Sequence, residues 1–248
     1  MDPILYNAAN GGRSNFARQE VIANNLANVG TTGFRADMYQ AQTLYVQGAK
    51  GSNNYGQSFT VQNPSAADFT PGPIVVTGRN LDVAVGGKGW LAVRGSDGKE
   101  AYTKAGSLNI DANGFLVTAS GRQVIGNGGP ISIPPATNID IGTDGTITIV
   151  PTGNGPQSAT TVDRIKMVSL DPANISKGPD GLFQLNKGGV APTDTTLKLT
   201  SGALEGSNVQ AVEQMVAMIN AGRDFETQMN LLSTMGENAQ KLTQIIGD

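Results

Sequence analysis

From Ser207 onward the chain reads SNVQAVEQMVAMINAGRDFETQMNLLSTMGENAQKLTQIIGD, with no proline to interrupt it. Apolar or small residues recur at Val212, Met215, Ile219, Gly222, Phe225, Met229, Leu232, Met235, Ala239, Leu242 and Ile246, every step being three or four. That spacing lays one stripe along an α-helix. Ser207 followed by Gln210 predicts a capping box at its start. At 1.5 Å per residue the helix would run roughly 60 Å. A compact body of 248 residues has a radius of gyration of only about 18 Å. A helix longer than its own body cannot hide its stripe there, so neighbouring molecules are expected to supply the missing wall.

The other end is helical but weaker. Asp2-Pro3 has the residues favoured at N-cap and N1, and Leu5, Ala8, Gly12, Phe16, Gln19, Ala23 and Leu26 form a second stripe as far as about Asn28. Gly11 and Gly12 each cost about 1 kcal/mol relative to Ala in a helix interior. Packing, rather than propensity, must hold such a helix. Gly30-Thr31-Thr32-Gly33 supplies the turn that ends it. Residues 37–73 predict an extended connector with at most one short strand, with Gly51-Ser52-Asn53-Asn54 and Pro64-Ser65 as loop signals.

From Thr77 to about Thr200 the apolar period falls to two. Short segments (LDVAV, WLAV, FLV, ISI, IDI, ITIV, RIKMVSL, LFQL, LKL) alternate with Ser96-Asp97-Gly98, Asn113-Gly114, Asp144-Gly145 and Asp180-Gly181. Asn, Asp and Gly tolerate the positive φ of hairpin turns. Many short strands at this spacing predict an all-β domain, barrel-like or sandwich-like, with Leu81, Val83, Trp90 and Val93 in its core. The expected division is 1–36, an N-terminal helix and turn; 37–73, the connector; 74–202, the β domain; and 203–248, the long C-terminal helix.

Composition narrows the chemistry. With no Cys and no His, zinc sites built on those ligands, Ser-His-Asp triads and thiol nucleophiles are excluded. A net charge of -3 without a basic block argues against nucleic acid. No apolar run is long enough to span a bilayer, and the N-terminus lacks the basic and apolar regions of a cleavable export signal. Asn109-x-Asp111-x-Asn113-Gly114 has half of a calcium loop, but Ser120 stands where the closing Glu belongs, so a β-turn explains it better. Ser96-x-x-Lys99 lies in a hairpin turn rather than at a helix start. Gly126-x-Gly128-Gly129 has no helix behind it to cradle phosphate. With 5% aromatics, there is little to stack on sugars. None of these motifs supplies a catalytic or cofactor site, and only paired carboxylates, whose separation in space the sequence does not give, stay open.

Three segments carry a resemblance. ANNLANVGTTGFRA (Ala23–Ala36), TGRNLDVAVGGKGWLAVRGSDGKEAYTKAGSLNIDANGFLVTASGRQVIG (Thr77–Gly126) and LEGSNVQAVEQMVAMINAGRDFE (Leu204–Glu226) are similar, in this order, to the signatures of bacterial flagellar rod and hook proteins. The likeness is greatest to the proximal-rod members. Lys104-Ala105 departs from the commoner Arg-Asn or Arg-Asp, and Phe225 from the commoner Tyr.

The resemblance implies an α+β fold. Long N- and C-terminal helices would pair, coiled-coil-like, as one discontinuous domain, with the β domain inserted between them. It also implies a structural axial subunit of the basal-body rod, not an enzyme and with no cofactor, exported without a cleaved signal through the flagellar type III apparatus into the periplasm. Its partners would be other proximal-rod proteins, the distal-rod protein and further copies of itself. A distal-rod or hook-type member is the alternative, and a secreted β-domain adhesin a more remote one. Assembly residues are expected at Asn24, Asn25, Leu26, Asn28, Gly33 and Phe34. In the C-terminal segment they are expected at Ser207, Asn208, Val209, Met215, Ile219, Arg223, Phe225, Glu226, Met229 and Leu232. The asparagines would bond between subunits, with local turn duty the rival role for Asn28. Arg223 and Glu226 would pair across subunits or simply along the helix.

Overall fold

The computed structural model describes the backbone of residues 3–46, 57–153 and 158–246, and their side chains apart from 3–9, 40–46, 57–66, 235 and 238–246. The expected N-cap Asp2, the turn signals at Gly51–Asn54, and the stripe positions Leu5, Ala8, Met235, Ala239, Leu242 and Ile246 lie outside the described residues or side chains. The chain divides into two compact units. One comprises Met1–Ala27, Asp37–Ala66 and Gln210–Asp248, the other Asn28–Ala36 and Ala67–Val209.

The first unit holds helices α1 (Pro3–Ala27) and α2 (Ala211–Ile246) and the paired strands β1 (Asp37–Val46) and β2 (Gln57–Ala67). Where the sequence predicts an extended connector, two strands of ten and eleven residues therefore pair, and Pro64-Ser65 lies within the second. Among the described residues no helix is long and apolar enough to cross a membrane.

Here the α+β expectation of paired, coiled-coil-like terminal helices is corrected. Strand dominates: among the described residues there are eighteen strands and two α-helices, one near each end. Among the described residues no coiled-coil seam joins the helices. They meet where Phe16 tilts against Phe225, ring centroids 4.7 Å apart, where Arg18 pairs with Asp224 at 3.4 Å, and where Gly11 lies against Gln228. Two of these three meetings are polar or involve glycine. Meanwhile Met215, Ile219 and Met229 of the stripe are exposed. The stripe is wider than a seam: Gly222, Phe225 and Leu232 are half-buried, while Val212, Met215, Ile219 and Met229 stay exposed. The long helix also starts later than its capping box predicts, at Ala211. Ser207 Oγ instead accepts from Val209 N at 3.2 Å.

The second unit is neither a single barrel nor a two-sheet sandwich. Its strands form one five-stranded sheet, one three-stranded sheet and several two-stranded ribbons. In chain order it opens with β3 (Ile74–Val76), β4 (Val83–Val85), β5 (Gly89–Arg94) and β6 (Glu100–Thr103). The run Trp90-Leu91-Ala92-Val93 is continuously apolar because β5 is buried on both faces. Leu91 and Val93 face a cluster with Val83, Leu108 and Leu116, and Leu81 packs half-buried against it. Trp90 and Ala92 face a second cluster with Tyr102, Val168 and Phe183. Ring centroids there lie 4.7 Å apart for Trp90–Phe183 and 5.6 Å for Phe69–Phe183, the tilted geometry aromatic pairs prefer. Each expected turn contains a glycine at positive φ: Gly98, Gly114, Gly145 and Gly181. In the half calcium loop, Asp111 Oδ1 accepts from Asn113 N at 2.9 Å and Phe115 N at 2.8 Å, which is a turn's bonding pattern.

Candidate assembly site

Parts of all three signature segments, residues 28–36, 77–126 and 204–209, meet inside the second unit. Its centre is Glu205, next to the glycine of LEG and almost fully buried. Glu205 Oε1 accepts from Arg35 Nη2 at 2.5 Å and from Gly72 N at 3.1 Å, while Oε2 lies 3.2 Å from Lys104 Nζ. Its carbonyl accepts from Gly33 N at 2.7 Å. One residue thus ties GFRA of the first signature and YTKAG of the second to the third.

The cluster holds more positive than negative charge, and other groups moderate the imbalance. Lys104 Nζ also donates to Val85 O at 3.1 Å and Gly87 O at 2.9 Å. Trp90 lies beneath both cations, 5.9 Å from the Arg35 guanidinium and 5.6 Å from Lys104 Nζ, close enough for its π face to attract them. Arg35 Nε and Nη1 are buried without a hydrogen-bond partner, which makes that face their nearest compensation. Burial holds the Lys104 ammonium below the usual lysine range, against the opposing pull of Glu205.

Two glycines make the convergence possible. Gly33 has φ +70°, and a Cβ there would sit 2.2 Å from the Lys104 carbonyl carbon. A Cβ on Gly72 would sit 2.2 Å from Gly206 O. Neither position admits a side chain without moving backbone.

Asn208 is the second fastening. Its Oδ1 accepts from Ala36 N at 2.8 Å, and its Nδ2 donates to Asp68 O at 2.9 Å and Thr70 O at 3.1 Å. These bonds hold 207–209 in the β body and explain why α2 starts after them. Val209 and Ser207 are buried beside it. Phe34 lies under Lys177, whose Nζ is 3.9 Å from the ring centroid and donates to Arg35 O at 3.0 Å.

The remaining expected residues are dispersed. Asn25 is buried in the helical unit and bonds the Asp37 backbone through both amide atoms. Asn24 is exposed and donates to Asp37 Oδ2 at 2.6 Å. Asn28 has a turn role, accepting at Oδ1 from Thr31 Oγ1 at 3.1 Å. Leu26 is half-buried on α1 and Leu232 on α2, while Arg223 and Glu226 are exposed on α2. Among the described residues α2's ion pair is Asp224–Arg18.

In the sequence Lys104 stands out only as a departure from the commoner Arg, and neither Arg35 nor Glu205 stands out. The available signal was a charge beside glycine or small residues in each motif, within a chain of only 15% charged residues.

Three known protein families match stretches of the chain. Residues 84–149 match the flagellar hook protein FlgE/F/G D1 domain, 200–245 the flagellar basal body rod FlgEFG protein C-terminal family, and 5–35 the flagella basal body rod protein family. The chain is 38% identical over 252 residues to the flagellar basal-body rod protein FlgF of Escherichia coli (strain K12), with 99% of each chain covered. It is 36% identical, with the same coverage, to FlgF of Salmonella typhimurium. The flagellar basal-body rod protein FlgG of Bacillus subtilis is 30% identical, with 97% of this chain and 98% of that one covered.

Proposed function

We propose, from the premise that this chain belongs to the flagellar basal-body rod proteins, like FlgF, and is a structural rod subunit rather than an enzyme, that it stands in the proximal rod and joins it through its terminal helices. Membership of this family implies assembly with other flagellar rod proteins in the basal body. On our reading the neighbours are proximal-rod proteins, further copies of this chain and, at one end, the distal-rod protein. The subunit reaches the periplasm through the flagellar export apparatus without a cleaved signal and there transmits torque.

One observation carries this reading. The α2 face bearing Val212, Met215, Val216 and Ile219 is exposed, as are Met229 and Leu231 further along the helix, although burying such residues is worth roughly 25 cal/mol per Å² of apolar surface. A neighbour's surface gives that face its missing partner. Head-to-tail contacts that do not close on themselves generate helical shafts. The junction around Glu205 is the anchor, not the contact. It holds the body ends of the terminal segments in one arrangement, so that side chains bearing load do not slip.

Fractionation tests the reading. Intact basal bodies stripped of outer structures should retain the protein in fixed proportion to other rod subunits. Its complete loss on such purification would overturn the assignment.

A further inference from the structure

One strand of the β body is dressed for contact on a side where, among the described residues, no strand lies. Ile74, Val75 and Val76 of β3 are 59%, 55% and 81% exposed, although consecutive β-branched apolar residues are ordinarily packed. β3 pairs only with Ala203–Glu205, and among the described residues no strand flanks its other side. The register decides where its polar groups point. Gly206 N donates to Pro73 O and Thr77 N donates to Gly202 O, so 73/206 and 77/202 are bonded pairs. Antiparallel alternation makes 75/204 bonded too and leaves 74 and 76 at non-bonded positions. The N–H and C=O groups of Ile74 and Val76 therefore face the open edge. The same alternation turns Glu205 C=O away from β3, where Gly33 N bonds it.

We propose that β3 is a strand-addition site, at which an extended apolar segment of a neighbouring rod subunit pairs with Ile74–Val76. This rests on the rod reading above. Donors and acceptors at alternate residues along one edge are matched by extended backbone, whereas a helix has bonded its own. Protein edges are commonly guarded by charge, proline or shortness. Here Pro71 and Pro73 precede a short strand, but none of its three residues is charged. Three residues fall well short of the about 1,000 Å² a free-standing interface needs. The edge is therefore too small to hold a dimer in dilute solution. It receives a strand from a subunit already held alongside by other contacts, where proximity raises the effective concentration.

The chain has no cysteine, so Val76→Cys creates a unique thiol. In purified basal bodies that thiol should react with a maleimide at least tenfold more slowly than in dilute monomer, and a photocrosslinker attached to it should capture another rod subunit. Val76→Pro removes an outward N–H while leaving the bonds to Ala203–Glu205 in place. It should incorporate at least tenfold less efficiently than the native chain in competition, with an unchanged thermal midpoint. Equal thiol reactivity in both states, capture of a protein foreign to the rod, or native incorporation of Val76→Pro would each overturn strand addition and leave the rod reading standing. Absence of the native chain from basal bodies would overturn the rod reading itself.

Discussion

Asn25 closes a two-bond ring with the backbone of Asp37: Nδ2 donates to Asp37 O at 2.9 Å, and Asp37 N donates to Oδ1 at 2.7 Å. A buried side-chain amide thus mimics a strand partner at the start of β1. Asn25→Ala removes both of these buried bonds and should destabilise the chain by about 1–3 kcal/mol. Asn24→Ala, at an exposed position, should cost less. Urea unfolding of the two variants side by side checks the order.

Glu205 balances two buried cations. Glu205→Gln keeps the shape but removes the charge, which should cost about 3–5 kcal/mol because Arg35 and Lys104 remain buried without a counter-ion. Near-ultraviolet circular dichroism of Trp90, the chain's single tryptophan, reports directly on this site. A midpoint within experimental error of the native chain would refute the clasp.

The exposed apolar face of α2 separates folding from assembly. Ile219 is 57% exposed, so Ile219→Asp should change monomer stability by no more than about 0.5 kcal/mol. It should nevertheless abolish incorporation into basal bodies and, with it, motility. Phe225→Ala should do the reverse first, loosening α1 from α2 by about 0.5–1.5 kcal/mol through loss of the Phe16 ring contact, in addition to lost buried area.

Tyr102 makes stability pH-dependent at alkaline values. Desolvation pushes its phenol up to about 12, the bond from Ala191 N opposes that, and Glu100 adds to it. Between about pH 10, where the unfolded phenol ionises, and about 12, the folded chain holds the extra proton. Stability should therefore fall with rising pH there, by up to about 1.4 kcal/mol per unit. Lys104 acts with the opposite sign below the ordinary lysine value, because its folded form releases the proton first. Tyr102→Phe should be less stable near neutrality by about 1–3 kcal/mol, since Ala191 N loses its acceptor at 2.7 Å. The gap should narrow above pH 10, as read from denaturant midpoints across that range.

Much of this protein is written locally. Period-two alternation, Asp-Gly and Asn-Gly turns, and the apolar run at Trp90–Val93 are properties of neighbouring residues, and the β elements follow from them. A helix near each end follows from steps of three and four in the same way. The pairing of β1 with β2 was not legible, because strands in mixed polar sequence are specified by the partner they find. Nor could the stripe of α2 say which of its residues α1 would cover; Phe225 is half-buried and Ile219 bare because one neighbouring helix shields only part of a wide face. Arg35, Lys104 and Glu205 lie far apart along the chain, Arg35 and Glu205 by 170 positions, and nothing local to any one of them calls for the others. Only tertiary structure could bring them together, because a buried charge takes its partner from whichever segment folding places beside it.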